Sequence, residues 1–241
     1  RRHVSDLDAA RLKEHLDPEI KAVGVFVNDE PEHIAALVKD EVIDLIQLHG
    51  DENEHYIKKL RRLTNAPIIY AVRVETHRDI EEADRLPVDY LLLGQHYIRN
   101  EIDGVYVYEP TDDPKVLTTY VNQCIEALQT GLYTYLAHPD LINFTGSETF
   151  YRREMERLCL AAKELNIPLE LNLLGLRANR TYPSERFFRI AKACGSTIVA
   201  GIDAHDPNCF FQPETFEPYQ KFVAACGLTV TDEITLRPVK R

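Results

Sequence analysis

The sequence lacks the long hydrophobic run that a membrane-spanning helix needs. No apolar stretch approaches the roughly 20 residues required to cross a bilayer. Residues 1–6, with the sequence RRHVSD, also lack the apolar core of a secretory signal peptide. We therefore expect a soluble protein of the cytoplasm that has no membrane partner.

Positive charge is in short supply. The 28 Lys and Arg residues face 39 Asp and Glu residues, which gives a formal net charge of -11 at pH 7. Affinity for nucleic acid comes largely from Lys and Arg side chains that meet phosphates. We therefore expect no nucleic-acid partner.

The cysteines form no recognisable pairs. They are odd in number, include no C-x-x-C motif and fit no zinc-ribbon spacing. This usage is typical of a reduced compartment and predicts free, mostly buried thiols. The five are Cys124, Cys159, Cys194, Cys209 and Cys226.

Linkers rich in proline and glycine are also missing, and short apolar runs recur along the chain. Near-continuous apolar runs of this length are typical of strands buried on both faces of a parallel sheet. They predict seven main strands, at 23–27, 44–50, 68–74, 89–94, 133–138, 169–174 and 197–203, with a weaker extended piece at 234–239.

Amphipathic stretches lie between these runs and predict a repeating β-α-β unit. The predicted helices cover 28–42, 53–63, 76–86, 114–130, 147–165 and 184–194. Because each half alone would leave a half-covered sheet, we expect one α/β domain over 1–241, a single parallel (βα) barrel with seven main strands. A doubly wound open sheet is the alternative.

The first third of the chain resembles a known barrel enzyme. Residues 2–5 (RHVS), 8–10 (DAA), 23–28 (VGVFVN), 47–52 (QLHGDE) and 71–74 (AVRV) are similar, in order and spacing, to the middle of the phosphoribosylanthranilate isomerases. That family carries a cysteine base in a Lys-Ile-Cys-Gly segment and an aspartate acid at the end of its sixth strand. This chain has no such segment, and its run at 89–93 ends in Gly94.

From about residue 88 the resemblance changes. Segments 94–98 (GQHYI), 137–141 (AHPDL), 170–177 (ELNLLGLR), 182–183 (YP) and 201–207 (GIDAHDP) are similar to the histidinol-phosphatase branch of the PHP metallophosphoesterases. The H-x-H pair of that family occurs nowhere in the chain. The two resemblances together predict a chimeric barrel, isomerase-like over 1–87 and phosphatase-like over 88–241.

This interpretation predicts an engineered or recombined scaffold with little or no catalysis. The alternative is a metal-dependent phosphomonoesterase of the histidinol-phosphatase type, and the remote alternative is a phosphoribosylanthranilate isomerase. We expect a monomer or a weak homodimer.

Four candidate metal ligands fall at predicted strand ends. The PHP resemblance assigns this role to His96, His138, Asp203 and His205. In a parallel barrel such strand ends converge on one mouth. Imidazole and carboxylate ligands suit Zn²⁺, Mn²⁺ or Fe²⁺, so we expect a partial divalent-metal site.

Further residues predict a site for a small phosphorylated ligand. Glu170 and Asn172 share one face of their strand, and Arg177 follows it. The PHP resemblance implies that the Arg177 guanidinium holds a phosphate; the alternative is a surface arginine paired with a carboxylate. His49 and Arg73, from the isomerase-like part, also come at strand ends and are expected near the mouth. His49 could replace a lost imidazole ligand there.

Overall fold

The computed structural model describes residues 4–18, 20–72, 88–98, 104–203 and 215–237. Eight strands form one sheet in the order β1-β2-β3-β4-β7-β8-β9-β10, and all of its ladders are parallel. A separate antiparallel hairpin consists of β5 and β6. The strands are β1 (Val23–Phe26), β2 (Leu45–Leu48), β3 (Ile68–Val72), β4 (Tyr90–Gly94), β5 (Tyr97–Ile98), β6 (Val105–Tyr106), β7 (Tyr133–Ala137), β8 (Leu169–Asn172), β9 (Ile198–Gly201) and β10 (Val230–Thr231).

This architecture confirms the predicted parallel α/β barrel type of fold. The seven main strands of the prediction are β1, β2, β3, β4, β7, β8 and β9. They were readable because most of them are short apolar runs; in β4, Tyr90, Leu91 and Leu93 are buried and Leu92 is partly buried. Among the described residues no ladder joins β1 to β10.

Eight described helices accompany the sheet. They are α1 (Asp6–Glu14), α2 (Pro31–Lys39), α3 (Glu54–Leu63), α4 (Pro114–Gln129), α5 (Glu148–Glu164), α6 (Leu173–Arg177), α7 (Glu185–Cys194) and α8 (Phe216–Cys226). Their ends follow local sequence signals. The Asn53 side chain accepts a hydrogen bond from the Tyr56 N–H at the start of α3. Gly195 ends α7 with a φ of 72°, a left-handed conformation that favours glycine.

Some boundaries differ from the prediction. Leu173 and Leu174 begin α6 instead of extending β8, because the Asn172 side chain caps this turn by accepting from the Gly175 N–H. The eighth strand is β10 rather than the expected piece at 234–239. Gly227 turns the chain at the end of α8 with a φ of 62°, so pairing with β9 starts at Val230. The predicted helix at 76–86 lies outside the described residues.

Helix α1 was not predicted, because it has no apolar stripe. None of its residues is buried, and its start rests on Ser5, whose side chain accepts from the Asp8 N–H. None of the described helices is long and apolar enough to span a bilayer. The described cysteines (Cys124, Cys159, Cys194 and Cys226) are all free thiols.

Candidate functional site

Five of the predicted site residues meet at the carboxyl ends of four neighbouring strands. β4, β7, β8 and β9 are consecutive in the sheet, and parallel neighbours end at the same edge. The five residues are His96, His138, Glu170, Asn172 and Asp203. The structure therefore places these five residues at one edge of the sheet, and their role as a site stays a prediction.

Two imidazoles lie side by side after β4 and β7. The ring centroids of His96 and His138 are 4.7 Å apart, with the planes inclined by 66°. A Cβ added to Gly94 would lie 3.3 Å from Cε1 of His96 and 3.6 Å from Cε1 of His138. The absence of a side chain at Gly94 therefore leaves room for both rings.

The His138 imidazole is buried and held neutral. Burial, followed by the neighbouring His96, keeps the pKa of His138 well below its usual range, although Asp203 acts in the opposite direction. Nδ1 of His138 is buried and has no hydrogen-bond partner among the described residues. A neutral imidazole with a free nitrogen is suited to accept a proton or to bind a ligand atom.

Two carboxyl groups are joined through one amide. Nδ2 of Asn172 donates to Oε2 of Glu170 at 3.1 Å and to Oδ2 of Asp203 at 3.2 Å. The backbone N–H of His138 also donates to Oε2 of Glu170, at 2.8 Å. Because Asn172 lies between the two carboxyl groups, both are positioned in one network.

Glycine 201 leaves space for the Glu170 carboxyl group. A Cβ at Gly201 in β9 would lie 1.8 Å from Oε1 of Glu170 in β8, which no pair of atoms can tolerate. A larger residue at this position would displace the carboxyl group from its network. The site thus depends on two glycines, Gly94 at the end of β4 and Gly201 at the end of β9.

The environment of Glu170 favours its protonated form. Burial raises the pKa of Glu170 to about 7, with further increases from the negative charges of Asp203 and Asp140. The hydrogen bonds from Asn172 and from the His138 N–H act in the opposite direction without cancelling the burial. A carboxyl group that titrates near neutrality can donate or accept a proton at physiological pH.

The backbone is strained at two of the five residues. His138 has a φ of 32° and Asp203 a φ of 48°, both in the left-handed region that residues with side chains rarely adopt. Such strain costs on the order of 1–3 kcal/mol per residue and is found mostly at functional sites. Its presence at these two strand ends supports a functional role for them.

The sequence did not reveal that Arg180, Tyr182 and Tyr108 line one side of His138. Nη1 of Arg180 donates to the Tyr182 hydroxyl at 2.7 Å, and the Arg180 charge contributes to the lowered pKa of His138. The Tyr182 ring centroid lies 6.1 Å from that of His138 and 5.9 Å from that of Tyr108. The pair at 182–183 was visible as part of a resemblance, but no spacing rule marked Arg180 as the cation.

The sequence also did not mark Asp140, a buried aspartate two residues after His138, as part of the site. Asp140 accepts from the Ser184 N–H at 2.6 Å and from the Ser184 hydroxyl at 2.9 Å. Burial raises the pKa of Asp140 to about 6. Its charge therefore adds to the negative field that acts on Glu170.

The other predicted residues stand apart or lie outside the described part of the chain. Arg177 ends α6 and is half-buried, and no hydrogen bond or ion pair joins its side chain to another described residue. His49 follows β2 and is exposed, with β3 between β2 and β4. Arg73 and His205 lie outside the described residues.

The predicted metal site is incomplete in the part of the chain that the structure describes. There, no group of three or more His, Cys, Asp or Glu side chains is placed to hold an ion. The fit is nevertheless partial, since the unpartnered nitrogen of His138 lies beside His96 and near Asp203. The metal site stays a prediction that depends on His205.

Comparison with known proteins relates the first part of the chain to one family. The family model described as N-(5'-phosphoribosyl)anthranilate isomerase matches residues 1–95. The isomerase of that name from Lachnoclostridium phytofermentans is 46% identical over 92 residues, 38% of this chain and 42% of the relative. That from Acetivibrio thermocellus is 40% identical over 112 residues, 44% of this chain and 49% of the relative.

The chain spans less than half the length of these curated relatives. Among solved structures, histidinol phosphate phosphatase from Lactococcus lactis aligns with a TM-score of 0.52 over 87% of this chain and 95% of that one. The sequence identity is 14%, so this alignment shows a shared fold alone.

These findings correct the predicted function. The isomerase family model matches the first 95 residues, and the curated relatives similar to this part carry the isomerase name. The expectation of an engineered scaffold was wrong, as was that of a phosphatase of the histidinol-phosphatase type. The joining of two families in one chain is not confirmed.

Proposed function

We propose that this protein is an acid–base isomerase of small phosphorylated aminosugars, of the N-(5'-phosphoribosyl)anthranilate isomerase kind. The observation that carries the proposal is the pair of carboxyl groups, Glu170 and Asp203, that share the Asn172 amide at the mouth of the barrel. The similarity of residues 1–95 to isomerases of this name supports the choice of reaction.

The reaction requires one proton donor and one proton acceptor. Opening the ribose ring breaks the bond between C1 and the ring oxygen, which must receive a proton as a protonated imine (iminium) forms at C1. Loss of the proton on C2 then gives an enol amine, and its tautomerisation moves the hydroxyl proton of C2 to C1 to give a ketone. No proton is gained or lost over the whole isomerisation.

Glu170 and Asp203 have the environments that these two roles require. With a pKa of about 7, Glu170 is substantially protonated near neutral pH and serves as the acid for the ring oxygen. Asp203 is only half-buried and serves as the base for the C2 proton. Two carboxyl groups in unequal environments are a recurring arrangement for such a division of roles.

This assignment replaces the groups that the isomerase resemblance led us to seek. The cysteine and aspartate of that family have no counterpart at the expected places, so the proton transfers fall to residues from the second half of the barrel. The guanidinium groups of Arg177 and Arg180 bind the phosphate of the substrate, since a guanidinium can hold a phosphate bidentately.

Turnover of the named substrate tests the proposal. The protein is incubated with N-(5'-phosphoribosyl)anthranilate, and the deoxyribulose product is quantified by chromatography. We expect conversion above the rate without protein, because an acid and a base are positioned together. Conversion that never exceeds this background, in protein that unfolds cooperatively, would refute the function.

We further propose that His96, His138, Asp203 and His205 bind a divalent ion such as Zn²⁺, Mn²⁺ or Fe²⁺. Support comes from the lowered pKa of His138, which keeps its nitrogen available, and from the partner-free Nδ1. When bound, the ion would act as a Lewis acid at the mouth of the barrel, and Asp203 would then serve as its ligand instead of as the free base.

Calorimetric titration with Zn²⁺ and Mn²⁺ measures this site directly. We expect weak binding that His138→Ala reduces by more than the roughly 10–100-fold typical of an outer-shell change. His55→Ala serves as the matched control, since His55 is an exposed residue in α3. Equal binding by wild type and His138→Ala would contradict the metal site.

The remaining parts of the interpretation stay proposals. We propose that residues 88–241 supply a half-barrel similar to that of the PHP phosphatases, within one domain over 1–241. We also keep a cytoplasmic location and a monomeric or weakly dimeric state as proposals. Sedimentation analysis of the purified protein tests the last of these.

A further inference from the structure

Two cysteines face each other on the outside of the barrel, away from the strand ends. Cys159 in α5 is completely buried, and Cys194 is the half-buried last residue of α7. Each thiol shifts the pKa of the other, as a hydrogen bond between them would, so the two side chains lie within contact range. The contact joins two helices through a pair of sulfur atoms that are 35 positions apart in the sequence.

Polar groups hold this pair in place. Nζ of Lys163, one turn after Cys159 in α5, donates to the backbone oxygen of Cys194 at 2.9 Å. The Ser196 hydroxyl donates to the backbone oxygen of Cys159 at 3.3 Å. These two bonds tie α5 to the end of α7 and to Ser196 just after it, at the backbone of both cysteines.

We propose that Cys159 and Cys194 form a reversible oxidation site, in which hydrogen peroxide converts the two thiols into a disulfide between α5 and α7. Cys194 is the attacking thiol because it is the accessible member of the pair, and Cys159 is the resolving thiol. The site is separate from the acid–base pair of the proposed function.

The chemistry is balanced with peroxide as the two-electron oxidant. The Cys194 thiolate attacks one peroxide oxygen, the O–O bond breaks, and the released hydroxide takes a proton to become water. The resulting sulfenic acid is then attacked by the Cys159 sulfur. An S–S bond forms, the S–O bond breaks, and a second water leaves with the Cys159 proton.

The charges around Cys194 favour its role as the attacking thiol. The hydrogen bond from Cys159 lowers the pKa of Cys194 below its usual range, and the Lys163 ammonium adds to this effect. Burial and the Glu156 carboxylate act in the opposite direction. For Cys159, the same shared hydrogen bond and burial raise the pKa, although Ser196 lowers it. The thiolate therefore forms on the exposed partner.

The test treats the folded full chain with hydrogen peroxide and maps disulfides by mass spectrometry without reduction. We expect a mass loss of 2 Da, a linked peptide pair containing Cys159 and Cys194, and full reversal by dithiothreitol. In Cys159→Ser, oxidation of Cys194 should stop at the sulfenic acid, which dimedone captures. In Cys194→Ser, no linked peptide containing Cys159 should appear.

Two controls separate proximity in the fold from general thiol reactivity. Cys226→Ser removes another described thiol that lies outside the pair, and it should leave the 159–194 linkage unchanged. In guanidinium chloride, the preference for this linkage should disappear, because the helices no longer hold the two thiols together. A mixture of linkages in the folded protein, or an unchanged rate of Cys159 oxidation in Cys194→Ser, would overturn the proposal.

Discussion

Glu170→Gln is expected to lower kcat for the isomerisation by roughly 10²–10⁴-fold, the usual contribution of a positioned acid or base. Glutamine has nearly the same shape as glutamate and can still accept from the His138 N–H, whose bond to Oε2 is 2.8 Å long. It carries no acidic proton for the ring oxygen. KM should change little, because the loss falls on proton transfer rather than on substrate binding.

The pH profile distinguishes an acid role from a purely structural one. Because Glu170 acts in its protonated form and its pKa is raised to about 7, kcat/KM of the wild type should decline as the pH rises through about 7. This decline should be missing in Glu170→Gln, whatever its residual rate. A structural role would lower the rate without removing the pH dependence.

Glu154→Gln is the matched control for this experiment. Glu154 is also a buried glutamate, with an exposed fraction of 3%, but it lies in α5 and pairs with Arg153 and Arg157. Its replacement should leave kcat and the pH profile unchanged. The acid assignment fails if Glu170→Gln keeps its kcat within a few-fold of wild type, or if the decline near pH 7 persists in it.

Most strands were predictable from the sequence because they are short apolar runs, as in β4 and β7, although Val23 and Val25 of β1 are exposed. The same runs indicated where His96, His138 and Asp203 lie in the chain, since each follows the end of a strand within two residues. The sequence did not indicate which of these strands would be neighbours in the sheet. β4 and β7 pair directly although the β5–β6 hairpin and α4 lie between them in sequence. That pairing alone brings His96 to His138.

The chemical state of the site was beyond sequence reasoning for a different reason. The raised pKa of Glu170 arises from burial between strands, against Gly201 of β9 and near Asp140, which are contacts of the tertiary structure. Arg180 was missed because the short helix α6 intervenes after β8, and the path of the chain beyond it follows no periodic pattern. Arg177, by contrast, was predicted from its place after a strand, and it lies at the end of that same helix.

The predicted function was wrong because it gave the resemblance of residues 88–241 more weight than that of residues 1–87. The second half of the chain supplied the motifs with the most polar residues, and these favoured a scaffold with a partial metal site, with a metal-dependent phosphatase as the alternative. The comparisons give their sequence support to the first half instead, through the isomerase model over 1–95. The phosphatase alignment, at 14% identity, carries the shape of the barrel and nothing about its chemistry.

A second large effect concerns the stability of the barrel's last helices. Phe188 in α7 is completely buried and packs edge to face against Phe187 and Phe222, with ring centroids 5.2 Å and 5.6 Å away. Phe222 belongs to α8, so this aromatic group attaches α8 to α7. Removing the central ring deletes both contacts and leaves a cavity that the surrounding helices cannot fill completely.

Phe188→Ala is therefore expected to lower the free energy of unfolding by about 3–5 kcal/mol, the range measured for buried phenylalanines. This is a large share of the roughly 5–15 kcal/mol that stabilises a typical domain. Urea denaturation measures the change as a shift of the midpoint. Phe216→Ala is the control, because Phe216 begins α8 with 60% of its surface exposed. Its loss should cost within about 0.5 kcal/mol. Equal midpoint shifts for the two variants would mean that the Phe188 ring does not attach α8 to the barrel.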